Sequence, residues 1–357
     1  MLGAAYVSEL RQLGRRAGLD AVGVAPAHPF AGTRRDLEAR RRAGLHGGMA
    51  FTYRNPARST DPGRALPGAA ALVVAARAYA HDVLRGPRRS ATGRVAAYAR
   101  ADHYGDLRVG LGRVAERLRS DGWRCRVLVD DNALVDREAA YRAGLGWYGK
   151  NANLLLPGRG SWFVLGSVLT TAPLPADPAP VDDGCGGCRR CIDACPTGAI
   201  VAPGVVDANR CLAWLVQAPG PFPVELRAAL GDRLYGCDDC QTVCPINRRG
   251  DREAARDGAQ VDDEAGRSDA PGGLVDLLGL LGATDEELLA RHGRWYIPRR
   301  DPRYLRRNAL VVLGNVGRGD DPAVAATVRR YRAHADPLLR EHAEWAAERL
   351  GLAGRPA

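Results

Sequence analysis

The chain has 357 residues, of which 46% are hydrophobic and 26% are charged, and its formal net charge is +10. This composition is typical of a globular protein and supplies enough apolar residues for two or three domains. No apolar run reaches the ~18 residues of a membrane span, and the first residues lack the apolar core of a signal peptide. The sequence therefore predicts a cytoplasmic protein without a membrane partner.

The first 176 residues alternate helical and strand patterns, which predicts a domain of mixed α/β layers. Three leucines and a valine recur at helical spacing before Gly122, and two apolar runs predict strands. The predicted elements are, in chain order, a helix over Gly105–Gly122, a strand over Arg124–Asp130, a helix over Leu134–Ala143 and a strand over Ser161–Thr170. Cys125 lies in the first of these strands and is predicted to be a small buried apolar residue.

Two acidic residues, Asp130 and Asp131, follow the first predicted strand. Ligands bind at the carboxyl edge of α/β sheets, and an acid with a raised pKa beside a reduced cofactor can donate a proton. The alternative is that either residue only caps the next turn, which is a common role of aspartate. Asp136 is predicted to be a first-turn charge of the following helix.

A glycine motif, Gly144-Leu-Gly146-Trp-Tyr-Gly149-Lys150, follows that helix and fits the G-x-G-x-x-G pattern. A dinucleotide site requires a strand before this pattern and a helix after it, whereas here a helix precedes it. We therefore interpret the motif as a turn that ends the helix and brings the backbone close to a cofactor.

Eight of the nine cysteines are clustered after a proline-rich break at residues 173–180. Residues 185–196 form a C-x2-C-x2-C-x3-C-P run, in which three thiolates bind one 4Fe–4S cluster and the fourth binds a neighbouring one. A second group joins Cys211 to a C-x2-C-x3-C-P run over residues 237–245. The segment therefore predicts a bacterial-ferredoxin-like domain with two 4Fe–4S clusters.

The crossing of ligands between the two groups assigns four cysteines to each cluster. Cluster one is assigned Cys185, Cys188, Cys191 and Cys244. Cluster two is assigned Cys195, Cys211, Cys237 and Cys240. Structural zinc is the alternative, since zinc also uses C-x2-C pairs, but a four-cysteine run with a trailing proline favours iron–sulfur.

The last part of the chain predicts helices. Residues 251–273 are acidic, glycine-rich and poor in large apolar residues, which predicts a linker. Three Asp-Pro pairs then offer an N-cap followed by a proline at the first helical position. They are Asp301-Pro302, Asp321-Pro322 and Asp336-Pro337. Consecutive short helices of this kind predict a HEAT-like repeat.

The positive charge has two explanations. One is an arginine-rich composition alone, and the other is a polyanionic partner whose phosphates the arginines neutralise. Five arginines crowd the start of the predicted helical tail, where they form either a solvated helix face or a phosphate-binding surface. They are Arg299, Arg300, Arg303, Arg306 and Arg307.

The motifs together resemble the epoxyqueuosine reductase family of tRNA-modifying enzymes. The resemblance spans nearly the whole chain and includes both cysteine groups. Its other motifs are Val129-Asp130-Asp131, Asp136-Arg137, Ala143–Trp147, Gly149–Asn151, Gly160–Trp162, Leu165-Gly166, Arg233–Cys237, Gln241–Asn247, Arg306–Leu310 and Leu313–Asn315.

The resemblance implies a cobalamin in the N-terminal domain, which receives electrons from an external donor through the two clusters. It implies that epoxyqueuosine in a tRNA anticodon loop is reduced to queuosine, with Asp130 as the proton donor. It also implies that five residues line the corrin: Arg58, Tyr98, Asp130, Asn151 and Gln217. No D-x-H-x-x-G motif of base-off corrinoid enzymes is present, so cobalamin rests on the resemblance.

Two departures from relatives concern the active site. This chain has Asp131-Asn132-Ala133 after Asp130, where relatives often have a small residue followed by Pro or Glu. It has Asp102-His103-Tyr104 where relatives commonly have Asp-Tyr-His. Which of Asp130 and Asp131 protonates the substrate therefore stays open.

We predict a multidomain protein that acts as a monomer. Its predicted domains are an α/β (α+β) cobalamin-binding domain over residues 1–176, a two-cluster ferredoxin-like domain over 177–250, and a linker with a tRNA-binding helical domain over 251–357. The alternative functions are a reductive dehalogenase-like corrinoid enzyme, a ferredoxin-type electron carrier, and a zinc-containing RNA-binding module.

Overall fold

A computed structural model describes residues 2–79, 91–177, 181–248, 273–352 and 354. The strands are β1 Ala21–Pro26, β2 Ala71–Ala78, β3 Thr92–Val95, β4 Cys125–Val129, β5 Trp147–Tyr148, β6 Leu154–Leu155, β7 Phe163–Thr170, β8 Ile200–Ala202, β9 Val205–Val206, β10 Arg233–Tyr235 and β11 Leu274–Asp276. The helices are α1 Ala4–Arg16, α2 Ala31–Arg42, α3 Pro56–Ser59, α4 Pro62–Ala65, α5 His103–Ser120, α6 Asp136–Arg142, α7 Arg190–Asp193, α8 Leu212–Leu215, α9 Val224–Leu230, α10 Asp239–Thr242, α11 Leu277–Gly282, α12 Asp285–His292, α13 Arg303–Val316, α14 Pro322–Arg332 and α15 Pro337–Arg349. None of these helices is both long enough and apolar enough to cross a membrane.

The chain forms two compact units, and each unit is assembled from separate chain segments. The described residues of unit one are 2–79, 103–177, 181–207 and 239–248. Those of unit two are 91–102, 208–238, 273–352 and 354. The cysteine segment is therefore divided between the two units.

Unit one contains a four-stranded sheet in the order β1-β2-β7-β4, in which every neighbouring pair is antiparallel. The predicted mixture of helices and strands is confirmed, but these strands do not form the parallel sheet that is typical of α/β folds. All but the last two residues of β2 and all but the first of β7 are buried, as expected for the central strands. Gly166 of β7 pairs with Val129, and a Cβ at Gly166 would lie only 2.8 Å from Val129 Cγ2.

Helix α5 packs in unit one through the apolar stripe that the sequence predicts. Its residues Leu107, Leu111, Val114 and Leu118 are all fully buried. The helix ends at Ser120, where the N–H of Trp123 donates to Leu118 O at 3.1 Å. Apolar residues at helical spacing followed by a glycine thus predict both the existence and the end of this helix.

Strand β4 and helix α6 lie where the sequence predicts them, with ends that differ by one or two residues. Cys125 is only partly buried, because β4 is an edge strand of the four-stranded sheet, and its Sγ lies 3.5 Å from Thr170 Oγ1. Asp136 lies in the first turn of α6, as predicted.

The glycine motif is a turn, as predicted, and does not form a dinucleotide site. Gly144 ends α6 with φ +65°, and the N–H of Leu145 donates to Ala140 O at 3.1 Å. Strand β5 follows where a dinucleotide fold requires a helix. A Cβ at Gly146 would lie 2.1 Å from Leu155 O, so this glycine lets β5 approach β6.

Unit two combines a three-stranded sheet, in the order β10-β3-β11, with the C-terminal helices. Helices α11, α13, α14 and α15 contribute most of its main apolar core. Asp321 and Asp336 cap α14 and α15 as predicted, and Asp301 Oδ1 accepts the N–H of Arg303 at 3.0 Å at the start of α13. The predicted linker over residues 251–273 lies outside the described residues, apart from Gly273.

Candidate active site and metal centre

A polar cavity of about 370 Å³ lies at the end of β4 in unit one. Its lining residues are Phe51, Arg108, Val127, Val129, Asp130, Asp131 and Asn132. Both acidic residues that the sequence predicts at this position therefore face one cavity. The sheet is antiparallel, so the carboxyl-edge rule does not explain the arrangement, and ligand binding here stays a prediction.

Asp130 has a left-handed backbone with φ +51°, directly after β4 ends at Val129. Such a conformation is uncommon for a residue with a Cβ and is found mostly in turns and at functional sites. Arg108 Nη2 donates to Val129 O at 3.0 Å and so holds the end of the strand. The observed backbone strain makes Asp130 a functional candidate.

The pKa of the Asp130 carboxyl is raised above its ordinary value of 3.8. Burial by the surrounding protein is the largest cause, even though part of the residue is exposed to solvent. The cation of Arg108 opposes this effect, and the carboxylate of Asp131 adds to it. A raised pKa keeps more of the protonated form near neutral pH, which a proton donor requires.

Asp131 is engaged in local structure. Its Oδ1 accepts the N–H of Ala133 at 2.8 Å, which is an Asx turn, and its Oδ2 lies 3.5 Å from Arg126 Nη2. The contacts therefore give Asp131 the capping role that was one of the two alternatives.

Tyr104 and Asp136 are two neighbours of Asp130 that the sequence pattern does not reveal. Burial raises the pKa of the Tyr104 hydroxyl, and the charges of Asp130 and Asp136 raise it further. Burial also raises the pKa of Asp136 well above its ordinary value, with Asp130 and Asp131 contributing. Asp136 Oδ1 is buried and accepts no hydrogen bond from the described residues. Position in a first helical turn predicts solvation for Asp136, and only the tertiary structure shows its burial.

The four cysteines assigned to cluster one all belong to unit one, and none of the nine cysteines forms a disulfide bond. Burial raises the pKa of the Cys191 thiol, and the nearby thiols of Cys185 and Cys244 raise it further. Cys244 is buried beside Trp147 and Leu155, with Cys185 against the same group. The sulfur donors and apolar surroundings fit an iron–sulfur cluster. In the described part of the chain, no three His, Cys, Asp or Glu side chains are close enough together to hold a single metal ion.

The four cysteines assigned to cluster two are divided between the units. Cys195 and Cys240 belong to unit one, and Cys211 and Cys237 belong to unit two. Burial would raise the pKa of Cys195, but backbone N–H groups that follow it outweigh this effect and lower the pKa. One of them, Ala199 N–H, donates to Cys195 Sγ at 3.2 Å. Hydrogen bonds of this kind stabilise a thiolate, which is the form that binds iron.

The comparisons with known proteins agree with this arrangement. Residues 184–247 match the family described as 4Fe-4S double cluster binding domain. The epoxyqueuosine reductase of Xanthomonas campestris is 35% identical over 97% of this chain and 96% of its own length. The chain belongs to the epoxyqueuosine reductase family. The double-cluster match also favours two 4Fe–4S clusters over the zinc alternative.

Solved epoxyqueuosine reductases have the same fold. One was crystallised with a tyrosine tRNA stem loop modified with epoxyqueuosine, and it matches with a TM-score of 0.84 and 30% identity over 97% of this chain and 90% of its own. The Bacillus subtilis enzyme matches with a TM-score of 0.83 and 29% identity over the same shares. Its structure has a catalytic aspartate loop swung out of the active site.

The residues that the family resemblance assigns to the corrin are found in both units. In unit one, Arg58 is exposed, and Asn151 is buried with its Nδ2 donating to Cys240 O at 3.3 Å. In unit two, Gln217 Nε2 donates to the hydroxyl of Tyr98 at 3.0 Å. The structure thus pairs Tyr98 with Gln217, and it joins Asn151 to the backbone of Cys240, a predicted ligand of cluster two.

One of the five predicted nucleic-acid contacts, Arg307, does not lie at the surface. Arg307 is fully buried in unit two, where its guanidinium donates to backbone carbonyls. The accepting residues are Leu215, Val216, Ala218 and Gly220, at 2.6–3.3 Å. Burial lowers the pKa of Arg307 to about 10, so it stays charged at neutral pH. The guanidinium of Arg307 is held in the core by these carbonyls around α8 and is not available to a phosphate.

The other four arginines differ in how they are held. Arg299 and Arg300 are exposed, and both have positive φ angles of 54–55°. Arg303 pairs with Asp301 at 2.5 Å and lies 3.5 Å from Asp336, whereas Arg306 pairs with Asp285 at 2.5 Å. Acidic residues distant in sequence, Asp285 and Asp336, therefore neutralise part of this arginine cluster.

Proposed function

We propose that this chain reduces epoxyqueuosine to queuosine at the wobble position of tRNA. As a member of the epoxyqueuosine reductase family it is an oxidoreductase, and a double-cluster domain supplies a path for electrons. The observation that carries the proposal is the presence in one chain of this domain and of a protonatable acid, Asp130, at a cavity. A relative binds an epoxyqueuosine-modified stem loop.

We propose that the chain also holds cobalamin through Arg58, Tyr98, Asn151 and Gln217, with Asp130 beside it. These residues offer amide, hydroxyl and guanidinium groups, which fit the amides and phosphate of a corrinoid. When bound, the corrinoid supplies the electron pair that opens the epoxide. The protein groups bind and orient the substrate and protonate its oxygen.

Asp130 is the proposed proton donor. Its protonated carboxyl gives a proton to the oxygen released as the epoxide opens, and the nearby cation of Arg108 opposes the effect of burial on its pKa. Asp131 is the less suitable donor, because its carboxylate is engaged with Ala133 N–H and Arg126. The Bacillus subtilis relative has a catalytic aspartate loop, which supports a catalytic role for an aspartate in this chain as well.

The helical tail is the proposed contact for tRNA. The exposed Arg299 and Arg300 are the strongest candidates for phosphate contact, and Arg303 and Arg306 would have to leave their acidic partners. The domains proposed are 1–176 for cobalamin, 177–250 for the clusters and 251–357 for a linker and a HEAT-like helical repeat. A cytoplasmic monomer with an external electron donor completes the proposal.

Anaerobic purification followed by iron, sulfide and corrinoid analysis tests the cofactors. The expected result is two 4Fe–4S clusters and one corrinoid per chain after reconstitution. Single-turnover assay with tRNA that carries epoxyqueuosine then tests the reaction, with unmodified tRNA as the control. Reduction of a small halogenated substrate without any reaction on tRNA would overturn the proposed function in favour of a dehalogenase.

A further inference from the structure

The β5–β6 hairpin contains the glycine motif, which the proposed function leaves without a chemical role. Its turn carries Lys150, which is the only lysine among the 51 Lys and Arg residues of the chain. Lys150 Nζ donates to Gly186 O at 2.5 Å, and Lys150 O accepts the N–H of Gly204 at 3.0 Å. The one lysine of the chain therefore contacts the loop between the first two ligands of cluster one.

A lysine suits this contact better than an arginine. The ammonium is a compact point charge on a flexible stem, whereas the guanidinium is a broad planar fork. Gly186 has φ +47° and directly follows Cys185, so its carbonyl belongs to the tight turn that presents the ligands. The contact fixes a positive charge beside this turn.

Trp147, at the start of the same hairpin, packs against the ligands themselves. It is 6% exposed and belongs to the buried group that includes Cys244, with Cys185 packed against it. A Cβ at Gly184 would lie 2.6 Å from Trp147 Cζ2, so the six-membered ring of the indole packs against the residue before Cys185. The indole Nε1 is buried and has no hydrogen-bond partner among the described residues. A buried N–H normally has an acceptor, and a cluster sulfur is a suitable one.

We propose that the β5–β6 hairpin sets the reduction potential of cluster one, Lys150 through its charge and Trp147 through its N–H group. Reduction adds one negative charge to the cluster, and a nearby cation or N–H donor stabilises the reduced form relative to the oxidised form. Both residues therefore raise the potential and favour electron entry. The inference rests on the iron–sulfur clusters of the proposed function and does not depend on its substrate.

The test is a dithionite titration of the full-length protein, with the reduced clusters followed by electron paramagnetic resonance. Lys150→Gln is expected to keep its full iron and sulfide content and to shift the cluster-one midpoint to a more negative potential. Lys150→Arg keeps the charge and is expected to restore most of the midpoint. Trp147→Phe is expected to shift the midpoint in the same direction as Lys150→Gln.

Arg189→Gln is the matched control, because it removes one positive charge from the cluster-one segment. The Arg189 side chain is 65% exposed and lies 3.7 Å from Asp193, so solvent screens it and its removal is expected to shift the midpoint less than Lys150→Gln. An unchanged midpoint in Lys150→Gln or in Trp147→Phe removes that residue from the proposal. Loss of iron in Lys150→Gln that Lys150→Arg restores would make Lys150 a structural brace and overturn its tuning role.

The titration contains no tRNA, so it separates this inference from the proposed reaction. If the variants shift the cluster-one midpoint as expected but the protein does not turn over tRNA, the result would support the role of the β5–β6 hairpin and contradict the proposed substrate. Zinc in place of iron in the wild-type protein would overturn both.

Discussion

The cysteine segment and the arginine-rich start of α13 are equally conspicuous in the sequence, yet the locations of their side chains in the structure differ. Cluster-one cysteines lie together in unit one, near enough for Cys185 and Cys244 to shift the pKa of Cys191. The five arginines separate into two exposed residues, two ion-paired residues and one core residue. Ligand spacing constrains the local backbone, whereas the location of a long charged side chain depends on tertiary contacts.

The largest effect is expected from removing a cluster-one ligand. Cys191→Ser should lose cluster one, leave about half of the iron and abolish turnover, because electrons no longer have a complete path. Iron and sulfide analysis together with the tRNA assay measure this. Cys125→Ser is the control and should retain all iron, since Cys125 is half-buried on an edge strand away from the ligand runs. Full iron in Cys191→Ser would contradict the ligand assignment.

A smaller loss is expected at Asp130. Asp130→Asn should lower single-turnover rate by about 10²–10⁴-fold, the usual contribution of a general acid, with clusters retained. Turnover of the wild-type protein should fall as pH rises through the raised pKa of Asp130, because only the protonated carboxyl donates, and Asp130→Asn should lack this dependence.

Asp131→Asn is the matched control for this substitution. It keeps the turn to Ala133 and should change the rate less than tenfold, as expected for a residue that is not the acid. A larger effect in Asp131→Asn than in Asp130→Asn would reverse the assignment of the two residues.

Arg307 sharpens the contrast within the arginine segment. Arg307→Met should lower the free energy of unfolding by about 3 kcal/mol, because buried carbonyls such as Ala218 O and Gly220 O lose their donor. Denaturant unfolding measures this change. An unaltered unfolding midpoint together with weaker tRNA binding would instead indicate that Arg307 contacts a phosphate.

The smallest effect is expected at the surface. Arg299→Ala should weaken tRNA binding a few-fold without changing stability. The slope of the logarithm of the binding constant against the logarithm of the salt concentration should fall in magnitude by about one. Filter binding over a range of salt concentrations measures both. Arg329→Ala removes an equally exposed charge from α14 and should have no such effect. Equal losses in the two variants would show a general charge effect and no specific contact.

Part of this structure follows from the sequence for identifiable reasons. The burial of Leu107 and the end of α5 follow from residue spacing, and the turn at Gly144 follows from glycine beside a helical pattern. The antiparallel sheet does not follow, because alternating helices and strands are compatible with either strand direction.

The candidate site shows the same division. The position of Asp130 after a strand makes it a candidate from the sequence. Its left-handed backbone and raised pKa arise from packing that no local sequence pattern predicts. The burial of Asp136 and the core position of Arg307 are likewise tertiary outcomes. Side chains whose role depends on their neighbours therefore need the fold before they can be assigned.

The interleaving of the two units has a consequence for biosynthesis. Strand β3 pairs with β10 and β11, which the ribosome produces more than a hundred residues later, and Cys244 follows Cys185 by tens of residues. The nascent polypeptide must therefore keep β3 without its partner β11 until Asp276 has emerged, and an incomplete set of thiolates until Cys244 has emerged. Excising either unit as a continuous fragment would cut through the other. Complete iron loading is expected only after Cys244 has emerged.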